Sequence, residues 1–97
     1  MAKGYLVVTY RKINNPDKWQ AYAKIAGVAI PKLGGKFIIR GMPVKTYEKG
    51  MNERVVIVEF DSVQKAMAAH DSPEYAEALK ALGDGADRDM RVVEGVA

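Results

Sequence analysis

The sequence predicts an α+β fold, a four-stranded antiparallel sheet with helices packed on one face. Three observations carry that expectation. Extended and helical segments follow one another as strand, helix, strand, strand, helix pair, strand. The stretch Arg54-Val55-Val56-Ile57-Val58-Glu59-Phe60 is apolar on both faces, as a strand covered on both sides is. Two Pro-led start signals, Asn15-Pro16-Asp17 and Ser72-Pro73-Glu74, place helices between the strands.

The first strand is Gly4–Arg11, dominated by β-branched and aromatic residues. Asn15 then caps a helix, Pro16 takes its first position and Asp17 suits the positive end of the helix dipole. Trp19, Tyr22, Ala23, Ala26, Ile30 and Leu33 recur at spacings of three and four and form one apolar stripe. Pro31 is expected to kink the last turn, and Gly34-Gly35 to end the helix in a left-handed cap. Lys36–Arg40 is the second strand. Gly41-Met42-Pro43 interrupts it as a bulge on an edge, and Val44–Glu48 resumes the extended course.

Arg54–Phe60 reads as the central strand. Val55, Ile57 and Glu59 share one of its faces; Val56, Val58 and Phe60 share the other. A carboxylate at Glu59 must find a partner, shift its pKa or sit at the rim. Asp61 and Ser62 cap the next helix, with Val63, Ala66, Met67 and His70 on one side. Ser72 caps a second helix, Pro73–Leu82, with Tyr75, Ala78, Leu79 and Leu82 on its stripe. Gly83-Asp84-Gly85 ends it, and Met90–Val96 is the fourth strand.

This order is the split βαβ, ferredoxin-like arrangement. Right-handed crossovers put both helical layers on one side of the sheet. The other side of the sheet is also apolar, so a second sheet is its natural cover and a homodimer is expected.

Ninety-seven residues make a single domain, 1–97. Apolar content of 48% and charged content of 28% are those of an ordinary globular protein. Without cysteine there is no disulfide, thiolate chemistry or Cys-based metal site, which suits a cytoplasmic setting. Met1-Ala2-Lys3-Gly4 lacks the apolar core of a signal peptide, and no apolar run approaches the roughly 18 residues of a membrane helix. No membrane association is expected. Residues 1–49 hold ten Lys/Arg against two Asp/Glu, and residues 50–97 hold five against ten. The basic residues are spread out rather than clustered, so the halves are read as neutralising each other, with no nucleic-acid partner.

Gly4-Tyr5, Gly34-Gly35-Lys36-Phe37, Arg40-Gly41, Glu53–Phe60, Ser72-Pro73-Glu74-Tyr75 and Val93-Glu94-Gly95, in this order and spacing, resemble the domain-of-unknown-function family 1330 nearly end to end. The resemblance implies a dimeric α/β barrel. It also implies distant kinship with cofactor-independent monooxygenases, lactone isomerases and haem-degrading enzymes, whose ligands sit between each sheet and its helices. Many members carry an aromatic residue where this chain has Ala69 or His70, and an Arg near Leu82–Gly83. This chain has Lys80 as the substitute, and Lys lacks the planar fork of Arg.

His70 is the only histidine. It is either a helix-end histidine or a general base facing a pocket, with haem ligation a remoter role. Glu59 and Arg40, on strands expected to neighbour each other, are either an inter-strand ion pair or a cavity pair in which Arg40 holds a substrate carboxylate. His70, Glu59 and Arg40 are thus the catalytic candidates. Trp19, Tyr22 and Tyr75 are core aromatics or pocket walls. Ser72, first a cap, completes the substrate-binding candidates. No metal site and no cofactor are expected. No Gly-rich phosphate loop, Ser-His-Asp set or RNA-binding aromatic motif is present. Two functions fit these residues. One is a small cofactor-independent enzyme acting on a small anionic metabolite in a cavity between sheet and helices. The other is a non-catalytic small-molecule-binding or structural homodimer.

Overall fold

The computed structural model describes residues 2–96. The elements are β1 (Gly4–Ile13), α1 (Pro16–Lys32), β2 (Lys36–Gly41), β3 (Val55–Phe60), α2 (Val63–His70), α3 (Pro73–Leu82) and β4 (Ala86–Glu94). The strands form one antiparallel sheet in the order β2-β3-β1-β4. This is the ferredoxin-like α+β fold. At 16 Å along its thinnest axis the domain is two layers deep, one sheet and one layer of helices.

The caps act as their chemistry dictates. Asn15 accepts from the backbone N–H groups of Asp17 and Lys18 at 3.1 and 3.2 Å, and Pro16 opens α1. Ser62 caps α2 through the Lys65 N–H, and Ser72 caps α3 through the Tyr75 N–H, each at 3.2 Å. Pro31 lies inside α1, next to its last residue. Gly34 follows with φ +93°, the left-handed conformation that favours glycine. At Gly35 a side chain would meet Ile30, Val58 and Phe60 within 2.6–2.9 Å, so this glycine lets the helix exit lie against β3.

Period-two alternation sorts the sheet residues. Leu6, Val8 and Tyr10 of β1 and Val58 and Phe60 of β3 are buried under the helices. They pack with Tyr22, Ala26 and Ile30 of α1, Ala66 and Ala69 of α2, and Tyr75, Ala78 and Leu82 of α3. On the opposite face stand Tyr5, Val7, Val55, Ile57, Ile39 and Val93, half-buried or exposed and covered by no helix among the described residues.

Four expectations change. β4 begins at Ala86 rather than Met90, because Asp87, Arg88 and Asp89 ladder with Lys12, Tyr10 and Thr9 of β1. The irregularity on the edge strand β2 falls between Phe37 and Ile39, not at Gly41-Met42-Pro43. Beyond Gly41 the chain does not resume as a strand, since Pro43 has no N–H for a ladder. On α2 the buried residues are Ala66 and Ala69, while Met67 is exposed, because the small alanines allow this short helix to lie close on the sheet.

Candidate functional site

A cavity of about 120 Å³ lies between α1 and the covered face of β1, β2 and β3. Its floor is Leu6, Val8, Val56 and Val58, with Ile30 and Phe37 closing one end. Trp19, Tyr22 and Tyr10 form an aromatic wall, and the small Ala23, Ala26 and Gly27 of α1 leave the room. Arg40 and Arg54 are the only charged residues in the lining.

Both guanidiniums reach this face by alternation. Arg40 pairs with Val56 across the β2–β3 ladder, and Arg54 stands two residues before Val56. The Arg40 guanidinium carbon is 4.6 Å from the Phe37 ring centre, and that of Arg54 is 5.1 Å from the Trp19 ring centre. Stacking fixes a planar guanidinium while its N–H donors stay available at the edge. Neither Arg is paired with a carboxylate among the described residues.

The wall is hydrogen-bonded. Trp19 Nε1 donates to the Tyr10 hydroxyl at 3.0 Å, with the two rings edge to face. The Tyr22 and Tyr75 hydroxyls share a hydrogen bond of 2.7 Å, and Arg88 donates to the Tyr22 oxygen at 2.9 Å. Arg88 also lies 4.7 Å over the Tyr22 ring and 5.6 Å over the Tyr10 ring. Burial and the neighbouring Tyr75 push the Tyr22 hydroxyl well above the usual phenol range, against the opposing pull of Arg88. Tyr22 is therefore a neutral phenol at any ordinary pH.

Of the residues singled out in the sequence, Arg40, Trp19 and Tyr22 meet at the cavity. Tyr75 sits one layer behind, bonded to Tyr22. Ser72 is engaged in capping: it donates to the Ala69 carbonyl at 2.7 Å and accepts from the Tyr75 N–H. Glu59 lies on the opposite face of the sheet. There it accepts from the Tyr5 hydroxyl at 3.0 Å and stands 3.9 Å from the Lys3 ammonium, the partner its position required. The ladder sets Lys36, not Arg40, across from Glu59, so the two expected partners point to opposite sides. His70 ends α2. Its Nδ1 is 3.0 Å from the Asp71 carboxylate and its ring is 5.4 Å from the Tyr75 ring, with the side chain 37% exposed and outside the cavity lining. Among the described residues no three His, Cys, Asp or Glu side chains gather as metal ligands.

Sequence reasoning passed over Tyr10, Arg54 and Arg88. For the first two the signal was present: Tyr10 shares the face of Leu6 and Val8, and Arg54 that of Val56 and Val58. Arg88 shows on the same face as Met90 and Val92 only once β4 is extended back to Ala86.

The fold recurs among solved structures. A protein of unknown function from Rhodopseudomonas palustris is 19% identical, with TM-score 0.74 over 99% of this chain and 84% of its own. A dimeric ferredoxin-like protein of unknown function from Thermobifida fusca is 20% identical, with TM-score 0.62 over 95% and 90%. SnoaB, a cofactor-independent oxygenase from Streptomyces nogalater, is 10% identical, with TM-score 0.59 over 99% and 93%. At these identities the likeness concerns the fold alone. No curated protein matches the sequence. The profile of the family described as Domain of unknown function (DUF1330) matches residues 3–96, and the chain belongs to that family.

Proposed function

We propose that the protein binds a small, anionic, partly apolar metabolite in the cavity between α1 and the sheet. One observation carries this reading: the lining holds two guanidiniums, each stacked on an aromatic ring, and no carboxylate. A guanidinium held on an aromatic ring with no internal anion is suited to a ligand carboxylate, which it grips in a fork. The apolar floor takes the rest of the molecule.

Trp19 is the only tryptophan and lies under Arg54, so its fluorescence reports on the cavity. Titration with γ-phenylbutyrate is expected to give a saturable change, and the corresponding neutral amide a much weaker one. Equal responses to acid and amide, or none to either, would remove the reading.

A second reading, turnover of that ligand without a cofactor, is favoured by the Tyr22 hydroxyl. It stands on the cavity wall as a neutral acid held by Arg88 and Tyr75. The likeness to a cofactor-independent oxygenase supports the same direction. The proton-moving roles expected of His70 and Glu59 gain no support from their positions, and in this reading the Tyr22 hydroxyl, with its proton retained, orients the ligand. Loss of turnover in Tyr22→Phe with ligand binding retained would support catalysis.

We further propose a homodimer in which the open sheet face, centred on Val7, Val55 and Ile57, packs on its copy. The exposed apolar face and the dimeric ferredoxin-like neighbour support it. Sedimentation showing a stable monomer at low micromolar concentration would exclude it.

A further inference from the structure

The Tyr10 hydroxyl is bonded on one side only. Trp19 Nε1 has a proton and no lone pair to offer, so Tyr10 is the acceptor in that contact. The phenol proton of Tyr10 is left over, since among the described residues the hydroxyl takes part only in the bond from Trp19. Tyr10 is 4% exposed and lines the cavity. A buried hydroxyl whose donor side is open costs free energy until something accepts from it. The other cavity phenol differs: Tyr22 is already bonded to both Arg88 and Tyr75.

Trp19 ties this open donor to the anion-gripping end of the cavity. The Arg54 guanidinium lies 5.1 Å over the indole whose N–H orients Tyr10. Tyr10 and Arg54 are neighbours in the lining, the Tyr10 N–H donating to the Arg54 carbonyl at 3.0 Å.

We propose that Tyr10 is a specificity-determining residue that donates a hydrogen bond to a second oxygen of the ligand. The ligand class is then a carboxylate with an additional acceptor oxygen, a ketone or ester carbonyl, a few bonds away, on an apolar or aryl body. This rests on the anion-binding reading above and narrows it. Trp19 is a positioning residue in this scheme: by filling the acceptor side of Tyr10 it aims the free proton into the cavity.

The test is calorimetric binding of two probes that differ by one oxygen. β-Benzoylpropionate carries the ketone; γ-phenylbutyrate is the same carboxylate without it. Wild type is expected to bind the keto acid about five- to tenfold more tightly, the worth of one neutral hydrogen bond. Tyr10→Phe removes the proton and keeps the ring, and is expected to bind both probes equally, at the wild-type affinity for γ-phenylbutyrate. Trp19→Phe is expected to lose much of the preference, because Tyr10 is then no longer aimed. Equal binding of both probes by folded wild type, or a keto preference that survives Tyr10→Phe, would overturn the assignment to Tyr10 and leave the anion site standing. Binding of neither probe would overturn both.

Discussion

The two faces of the sheet are built from alternate residues of the same strands, yet they handle charge in opposite ways. The open face balances its charges. Glu59 meets Lys3 and the Tyr5 hydroxyl, and Asp89 meets Arg91 at 2.9 Å and Arg11 at 3.5 Å. Arg91 and then Arg11 hold the Asp89 carboxyl below the usual carboxylate range. On the covered face Arg40, Arg54 and Arg88 stand on aromatic rings and pair with no carboxylate among the described residues. A balanced surface can meet its own copy without electrostatic cost. An unbalanced one calls for an anion from elsewhere. In the function proposed above, the difference separates the proposed assembly surface from the proposed ligand site within one sheet.

The largest expected effect sharpens this comparison. Val58→Asp puts an unpaired charge in the covered core at a cost of several kcal/mol, in a domain worth roughly 5–15 in total, and is expected to prevent folding. Ile57→Asp, the next residue and on the open face, is expected to leave a folded chain that no longer self-associates. Circular dichroism and sedimentation together read both. Two unfolded mutants, or two wild-type-like ones, would erase the distinction between the faces.

Next come the guanidiniums. Arg54→Gln and Arg40→Gln are each expected to weaken γ-phenylbutyrate binding by about tenfold or more, the scale of a hydrogen bond to a charged group, while the fold survives. Arg91→Gln, on the open face, is expected to leave binding unchanged. Fluorescence titration at Trp19 measures all three.

A third effect appears in alkali. The Tyr22 phenol is raised above its unfolded value of about 10, so its proton stays on in the folded state after the unfolded chain has lost it. Its stabilising contribution is complete below about pH 10 and is lost as pH rises further. Each such proton steepens the fall by roughly 1.4 kcal/mol per pH unit. Tyr22→Phe is expected to flatten the alkaline limb of urea-unfolding curves, and an unchanged limb would show that the phenol is not held protonated.

The smallest effects are expected at two residues that stand out in the sequence. His70→Asn and Glu59→Gln should leave γ-phenylbutyrate affinity unchanged and stability within about 1.5 kcal/mol, the net worth of one hydrogen bond. Loss of binding in either would tie it to the cavity.

That contrast shows what was legible in the chain. The caps were local, so α3 begins and ends where Ser72-Pro73-Glu74 and Gly83 place it. Alternation assigned the β3 residues to the correct faces. The start of β4 was not legible, because Asp87-Arg88-Asp89 resembles a loop and becomes strand only through its ladder with β1. His70 was conspicuous by its chemistry, but being a lone titratable residue carries no information about position. The site gathers Tyr10 from β1, Arg40 from β2 and Arg54 from the residue that leads into β3. Only the sheet order β2-β3-β1 brings them around Trp19.

The irregular edge of β2 has one more consequence. Strand edges with unpaired N–H and C=O groups invite further strands and open-ended growth. Here one edge is interrupted between Phe37 and Ile39 and stops before Pro43, while the other, β4, carries Asp87, Arg88, Asp89 and Arg91. Neither edge is a good template for another chain. With Ile39 and Ile57 in the open, sideways growth into a fibril is thus disfavoured, and contact through these residues is directed face to face rather than edge to edge.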